Sequence, residues 1–177
     1  VFFSPTEGGG GGKGDNSGPA VRGNFQDTAY WNANIVTGAD GKARVTFNLP
    51  DNLTSWNLLA IGETKDTQVG HAEAKLVTRR DLMVEPLLPR ILRRQDTAIV
   101  GATVINATDR ALDAQVTIKA EGVTVESGTR NIHLDPQGRG VVKWKVQVPA
   151  NGTQAKFTVS AKATGYEDAF EMTIPVL

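Results

Sequence analysis

Apolar and polar residues alternate strictly through the second half of the chain, the pattern of β-strands with one buried face. Three rows of apolar residues, each backed by Lys, Gln, Thr or Ser, are Ala114, Val116, Ile118 and Ala120, then Val142, Trp144, Val146 and Val148, then Phe157, Val159, Ala161 and Ala163. With shorter runs at 98–105, 131–134 and 169–175, about seven strands recur at roughly ten-residue intervals. Residues 81–177 are therefore predicted to form a complete antiparallel β-sandwich.

A shorter β pattern covers residues 19–80. Strand-like runs at 29–37 and 44–49 flank a turn at 38–41, and further strands are predicted at 56–61 and 67–78, with Gly70 as a bulge or bend. Four strands are few for a closed sandwich, so this unit is either a small domain or half of a larger one. We place the domain boundary near Arg80, where basic residues and prolines interrupt the alternation.

Residues 1–18 form a glycine-rich segment with almost no apolar side chains to bury between 8 and 18. Because glycine leaves the backbone free, we expect this segment to be flexible. Its glycines at 9–14 match the spacing G-x-G-x-x-G, but no strand precedes them and no helix pattern follows. Gly14 also stands where a Walker loop needs Ser or Thr after Lys13, so nucleotide binding is not predicted.

Composition excludes several classes of function. Nineteen basic and nineteen acidic residues cancel, which removes the long-range field that would attract nucleic acid or an anionic membrane. With no cysteine, this stretch contains no disulfide, thiolate metal site or cysteine nucleophile. Since no apolar run is long enough to span a membrane, membrane attachment would need an anchor outside this sequence. The chain opens on Val1 without a leader, and we expect it to be a piece of a larger protein.

Candidate chemistry is sparse. The two histidines, His71 and His133, lie in different units and lack a second histidine or cysteine at ligand spacing. No nucleophile elbow or credible Ser, His and Asp set is present. We predict no catalytic residue, no cofactor, no metal ligand and no enzyme. A calcium site assembled from Asp40, Asp113 and Asp135 on separate loops stays open as an alternative.

Other polar and aromatic residues are predicted to have structural roles. Asp27 and Asp51 stand beside turn residues and can accept backbone N–H bonds. The set predicted to pair with nearby acids at the domain junction is Arg79, Arg80, Arg90, Arg93 and Arg94. The set predicted to pack as core or edge anchors is Trp31, Trp56 and Trp144. The set that matches glycosylation acceptors, and is interpreted as turn residues, is Asn52, Asn106 and Asn151.

Four phrases in one order and spacing carry a family resemblance: RGNFQDTAYW at 22–31, GADG at 38–41, LPDNLTSW at 49–56 and LMVEPLLPR at 82–90. Together they resemble the bacterial alpha-2-macroglobulins, over residues 19–177. The resemblance implies an all-β fold of macroglobulin-like sandwiches, related to immunoglobulin and fibronectin domains. In that family such domains follow the bait region and precede the thioester domain. The thioester motif itself is absent from this stretch, and some bacterial members lack it altogether.

The resemblance further implies a broad-range protease inhibitor. A protease cuts an exposed bait, the surrounding domains rearrange and the protease is trapped, without catalysis by the inhibitor. Residues 1–18 then become a bait-like segment, and the cleavage candidates are Phe3 and Lys13 within it and Arg22 just after it. Glycines do not fill protease specificity pockets, so a passive flexible linker is the alternative.

The implied partners are target proteases and other domains of the same parent chain, with no nucleic acid. The implied location is the periplasm, with an inner-membrane anchor in the parent protein. A competing hypothesis is a spacer or adhesion module of a bacterial surface protein, built from tandem immunoglobulin-like sandwiches with the glycines as a hinge. It explains the β pattern but not the four matched phrases.

Overall fold

The computed structural model describes residues 20–177, and the regular structure of that part is entirely β-strand. In chain order the strands are β1 (Val21–Arg22), β2 (Ser55–Glu63), β3 (Val69–Val77), β4 (Leu82–Leu87), β5 (Thr97–Asn106), β6 (Leu112–Glu121), β7 (Thr124–Val125), β8 (Thr129–Leu134), β9 (Arg139–Gln147), β10 (Gln154–Ala163) and β11 (Tyr166–Pro175). Within the described residues no helix could cross a membrane.

The described residues form two compact units. The first, named here the hairpin unit, is Asn24–Thr78. The second, named here the sandwich unit, is Arg79–Leu177 together with residues 20–23. The sequence pattern had grouped 19–23 with the first unit, whereas β1 pairs with β11 of the second.

Two sheets make up the sandwich unit. One has the order β1-β11-β10-β6-β8, in which β1 lies parallel to β11 and the other neighbours are antiparallel. The second has the order β4-β5-β9-β7 and is antiparallel throughout. These sheets confirm the predicted all-β class and the antiparallel β-sandwich.

The core of the sandwich unit consists of the apolar rows that alternation predicted. Trp144 on β9 and Phe157 on β10 are at most 1% exposed, and every other member of the three rows is buried except the half-buried Ala120. Burial of an apolar side chain such as Phe157 contributes about 1.5–3 kcal/mol. The polar residues between them face outward, so a one-residue shift in register would bury charges and is strongly disfavoured.

In the hairpin unit, β2 and β3 form a continuous antiparallel ladder from the pair Ser55 and Val77 to the pair Glu63 and Val69. Both predicted strands are therefore confirmed. Gly70 lies in register opposite Gly62, so the prediction of a bulge at this glycine was wrong.

The other two strands predicted in the hairpin unit, at 29–37 and 44–49, are not formed. The turn between them is present, because the Gly38 N–H donates to Lys42 O at 2.8 Å. Residues 44–49 also keep the predicted alternation, with Val45 and Phe47 half-buried and their neighbours exposed. Alternation predicts which side chains share a face, but a strand also needs a hydrogen-bonded neighbour, and no described segment pairs with this one.

Candidate functional site

The first described strand, β1, is held at the edge of the five-stranded sheet. Only two residues form it, Val21 opposite Ala169 and Arg22 opposite Phe170. Val21 is half exposed, but the Arg22 side chain is only 6% exposed. A long cation this deeply buried needs a charged partner.

The partner of Arg22 is Asp168 on β11, whose side chain is fully buried. Arg22 Nε donates to Asp168 Oδ1 at 3.0 Å, and Arg22 Nη2 donates to Asp168 Oδ2 at 2.6 Å. This two-pronged geometry matches the planar guanidinium to the carboxylate and is the strongest form of ion pair between side chains.

Two further groups complete the coordination of Asp168. Arg80 Nη1 donates to Oδ1 at 3.0 Å, and the Val84 N–H donates to Oδ2 at 2.9 Å. Arg22 Nη2 also donates to the Val84 carbonyl oxygen at 2.7 Å. Because Val84 belongs to β4 and Asp168 to β11, the contacts join the two sheets. We call Arg22, Arg80 and Asp168 the Asp168 cluster.

The Asp168 cluster suits mechanical attachment better than catalysis. Its carboxylate accepts four N–H bonds and has no lone pair left over for a reactant. Arginine stays protonated in proteins and is therefore a poor acid or base. Arg22 and Arg80 both bind the buried Asp168, so two parts of the chain that are distant in sequence are attached to β11.

This placement bears on the cleavage candidates. Arg22 is buried and ion-paired, so its side chain would have to leave Asp168 before a protease pocket could take it. Phe3 and Lys13 lie outside the described residues.

Sequence reasoning expected pairing for the arginines but missed Asp168. The predicted strand began at Ala169, three residues after the start of β11 at Tyr166, and so left out Asp168. The signal was available, because Asp168 shares the inward row of β11 with Phe170 and Ile174. A carboxylate in an apolar row indicates a buried cationic partner. Of the other arginines predicted to pair with acids, Arg94 instead donates from Nε to the backbone carbonyl oxygen of Gly152 at 2.9 Å.

A second titratable group lies on the surface of the sandwich unit. His133 Nδ1 is 2.7 Å from Asp113 Oδ1, and Nε2 is 4.0 Å from Asp135 Oδ1. The hydrogen bond with Asp113, followed by its charge, raises the pKa of His133 above the usual 6.5. All three side chains are exposed, and the described residues contain no group of three or more His, Cys, Asp or Glu side chains arranged to hold a metal.

The remaining candidate residues have separate positions. Asp40 lies in the hairpin unit, where Oδ1 accepts the Lys42 N–H at 3.1 Å, and His71 lies exposed on β3. Trp144 packs in the sandwich core, and Trp56 is half-buried and donates to Thr78 Oγ1 at 3.2 Å. The packing prediction was wrong for Trp31, which is 79% exposed.

The matched phrases of the hairpin unit are joined by hydrogen bonds. Asp51 Oδ2 accepts the Asn24 N–H at 2.9 Å, as predicted for a turn carboxylate, and Asn52 Oδ1 accepts the Gln26 N–H at 3.0 Å. The Tyr30 and Phe47 rings stack 5.0 Å apart and line an open groove of about 480 Å³ with Trp56 and other side chains of this unit.

Asn106 confirms the interpretation of its motif as a turn. Its side chain is fully buried, and Nδ2 donates to Arg110 O at 2.6 Å and to Asp135 O at 2.9 Å. Oδ1 accepts the Thr108 N–H at 3.0 Å. The amide that glycosylation would need is thus occupied.

Fold and site together define an all-β protein with an antiparallel sandwich, in which the Asp168 cluster joins the two sheets. Residues 28–118 match the model of the alpha-2-macroglobulin family, a segment of about half the chain. The chain belongs to the alpha-2-macroglobulin family, in agreement with the resemblance carried by the four phrases.

Curated bacterial relatives agree with this assignment. The chain is 31% identical over 161 residues to an alpha-2-macroglobulin of Thermotoga maritima, covering 88% of this chain and 10% of that protein. It is 28% identical over 161 residues to an alpha-2-macroglobulin homolog of Nostoc, covering 88% of this chain and 8% of that protein. The chain thus spans about a tenth of these relatives.

A solved structure supports the fold. Escherichia coli alpha-2-macroglobulin activated by porcine elastase has a TM-score of 0.70 and 18% identity, over 88% of this chain and 15% of that one.

Proposed function

We propose that this chain supplies macroglobulin domains to a broad-range protease-trapping inhibitor, which is cut in a bait segment and then rearranges around the protease. Family membership over residues 28–118 carries the proposal. Porcine elastase activates Escherichia coli alpha-2-macroglobulin, which supports a proteolytic trigger in a relative. In this role the sandwich unit is a scaffold and not an enzyme.

The bait is assigned to the glycine-rich segment, with Lys13 and Phe3 as the side chains that basic- and aromatic-preferring proteases accept. A protease binds its substrate extended, so a stretch with little to bury is a favourable target. Arg22 ranks behind both because its side chain is held by Asp168.

Brief trypsin digestion of the chain, followed by mass spectrometry, tests this assignment. The earliest cut is expected after Lys13, and the Lys13→Gln variant should lose that cut while cleavage after the exposed Lys42 keeps its rate. Chymotrypsin is expected to cut first beside Phe3. Earliest cleavage inside 45–61 would contradict the bait assignment.

The proposed partners are target proteases of the parent protein and other domains of the same parent chain. Support for the second comes from the hairpin unit, whose apolar face is covered on only part of its area. Leu58 and Leu76 on that face are half-buried, whereas Ala72 and Ala74 are exposed. We interpret this unit as half of a β-sandwich that strands outside this sequence complete.

The proposed location is the periplasm, with any membrane anchor outside these residues, and cell fractionation of the parent tests it. A trap and a surface spacer make different predictions for the parent protein. A trapped protease should lose activity on large protein substrates and keep it on small peptides. A spacer module would leave both activities unchanged.

A further inference from the structure

The Asp168 cluster contains one residue from each of the two chain segments that lead into and out of the hairpin unit. Arg22 precedes that unit by two residues and Arg80 follows it by two, since the unit runs from Asn24 to Thr78. Both arginines donate to Asp168 Oδ1, at 3.0 Å each. The Asp168 carboxylate therefore binds the chain close to the point where it leaves the sandwich unit and close to the point where it returns.

Backbone pairing contributes little to the first of these attachments. Strand β1 has two residues at a sheet edge, and one of them, Val21, is half exposed. Very short edge strands have few ladder hydrogen bonds and open readily. The side chain of Arg22, with two bonds to Asp168 and one to the Val84 carbonyl oxygen, is thus the main attachment of β1.

The two arginines differ in exposure, and this difference permits release. Arg22 is 6% exposed and Arg80 is 38% exposed. If Arg22 leaves, Asp168 still accepts hydrogen bonds from Arg80 and from the Val84 N–H. A buried charge left without a partner is very costly, and Arg80 prevents that situation.

We propose that Asp168 is a latch: it holds β1 closed through Arg22, and Arg80 neutralises the carboxylate when β1 opens. In the closed state the Arg22–Gly23 peptide bond is protected from trypsin-like proteases, and in the open state it is accessible. The latch itself depends only on the described residues. Its role in passing a bait cut on to the sandwich unit rests on the proposed function.

The rate of trypsin cleavage at Arg22–Gly23 in the 177-residue chain reports the open state, with cleavage at Lys42–Ala43 as the internal reference. Asp168→Asn keeps the shape of the side chain but removes the charge and leaves two arginines facing each other. It should raise the rate at Arg22–Gly23 at least about tenfold. Glu171→Gln is the matched control on the same strand, because it affects only the partly exposed contacts of Glu171 with Lys156 and Thr158, and it should leave the rate unchanged.

Arg80→Met separates a latch from a static cluster. Without Arg80, release of Arg22 would leave Asp168 unneutralised, so cleavage at Arg22–Gly23 should slow by at least about threefold. A static cluster would instead loosen, and cleavage would accelerate. Arg79→Met removes the same charge from an exposed neighbouring position and should have no effect.

Faster cleavage in Arg80→Met, or an unchanged rate in Asp168→Asn, overturns the latch. If Asp168→Asn unfolds the sandwich unit, all sites will be cut together, and the direction of the Arg80→Met effect alone decides. Absence of an early cut after Lys13 would argue against the proposed bait without affecting any of these rates.

Discussion

Two carboxylates of the sandwich unit, Asp168 and Asp113, contact basic side chains in opposite surroundings, one buried and one exposed. Asp168 is fully buried and has fixed partners on two sheets, so removal of one partner has structural consequences. Asp113 is exposed, and its contact with His133 is screened by water and salt. The first contact therefore serves architecture, whereas the second is visible mainly as a change in titration.

The titration of His133 is the prediction at this scale. Because Asp113 raises its pKa, the imidazole should titrate with a midpoint above 6.5 when followed by NMR. Asp113 contributes most to the raised pKa, so Asp113→Asn should lower the titration midpoint. Asp135 contributes less, so Asp135→Asn should lower the midpoint by a smaller amount.

The direction in which stability changes with pH follows from the raised pKa of His133 in the folded state. The contribution of the pair is fully present below pH 6.5 and is lost as pH rises through the folded pKa of His133. Since the pair is exposed, the change should be small. A midpoint at or below 6.5 in the unmodified chain would refute the predicted interaction.

Among the connections between strands, two glycines with positive φ separate backbone strain from lack of space. Gly122, after β6, has φ 81°, and a Cβ built there would lie 2.2 Å from Gln154 O. Gly165, between β10 and β11, has φ 80°, but its Cβ would meet nothing within 4 Å. Both positions disfavour other residues through φ, and only Gly122 is also closed by a neighbouring backbone atom.

Urea unfolding of two alanine variants tests this distinction. Gly165→Ala should lower the free energy of unfolding by about 1–2 kcal/mol, the cost of the left-handed conformation. Gly122→Ala should cost a further ~1–3 kcal/mol, because Gln154 and its strand must shift. Equal losses of unfolding free energy in the two variants would show that the turn after β6 accommodates the added methyl group without further strain.

The alternation of residues predicted the long strands well, because in a strand with one buried face successive side chains are buried and exposed in turn. For β9 and β10 the rows of Trp144 and Phe157 were sufficient. Strand β1 could not be predicted, since two residues show no period and its partner lies far away in sequence. Residues 44–49 show the converse, because their alternation is real but hydrogen-bonded pairing depends on a neighbour that sequence alone does not reveal.

The candidate site could likewise be predicted from the sequence only in part. The basic residues at the junction were recognisable as a group, and pairing with acids was expected for Arg80. Which acid they use depends on the fold, because Asp168 is 88 residues from Arg80 and 146 from Arg22. Only sheet pairing brings such distant positions together.

At the scale of the whole chain, the two units differ in how completely they bury their apolar surface. The sandwich unit has two sheets and a core of fully buried side chains, including Val146 and Val159. The hairpin unit has one two-stranded sheet, and apolar residues such as Leu59 and Ile61 are more than half exposed. An isolated two-stranded sheet is marginally stable in water, so the units should differ in local stability.

Amide hydrogen exchange read by mass spectrometry tests this difference. In the 177-residue chain, peptides from β2 and β3 should exchange at least about tenfold faster than peptides from β9 and β10, because opening a lone hairpin exposes little additional apolar surface. In the parent protein the exchange of β2 and β3 should slow if missing strands complete their sheet, while β9 and β10 serve as the internal control. Equal protection of all four strands in the 177-residue chain would show that the hairpin unit is already a complete domain and would overturn its interpretation as half a sandwich.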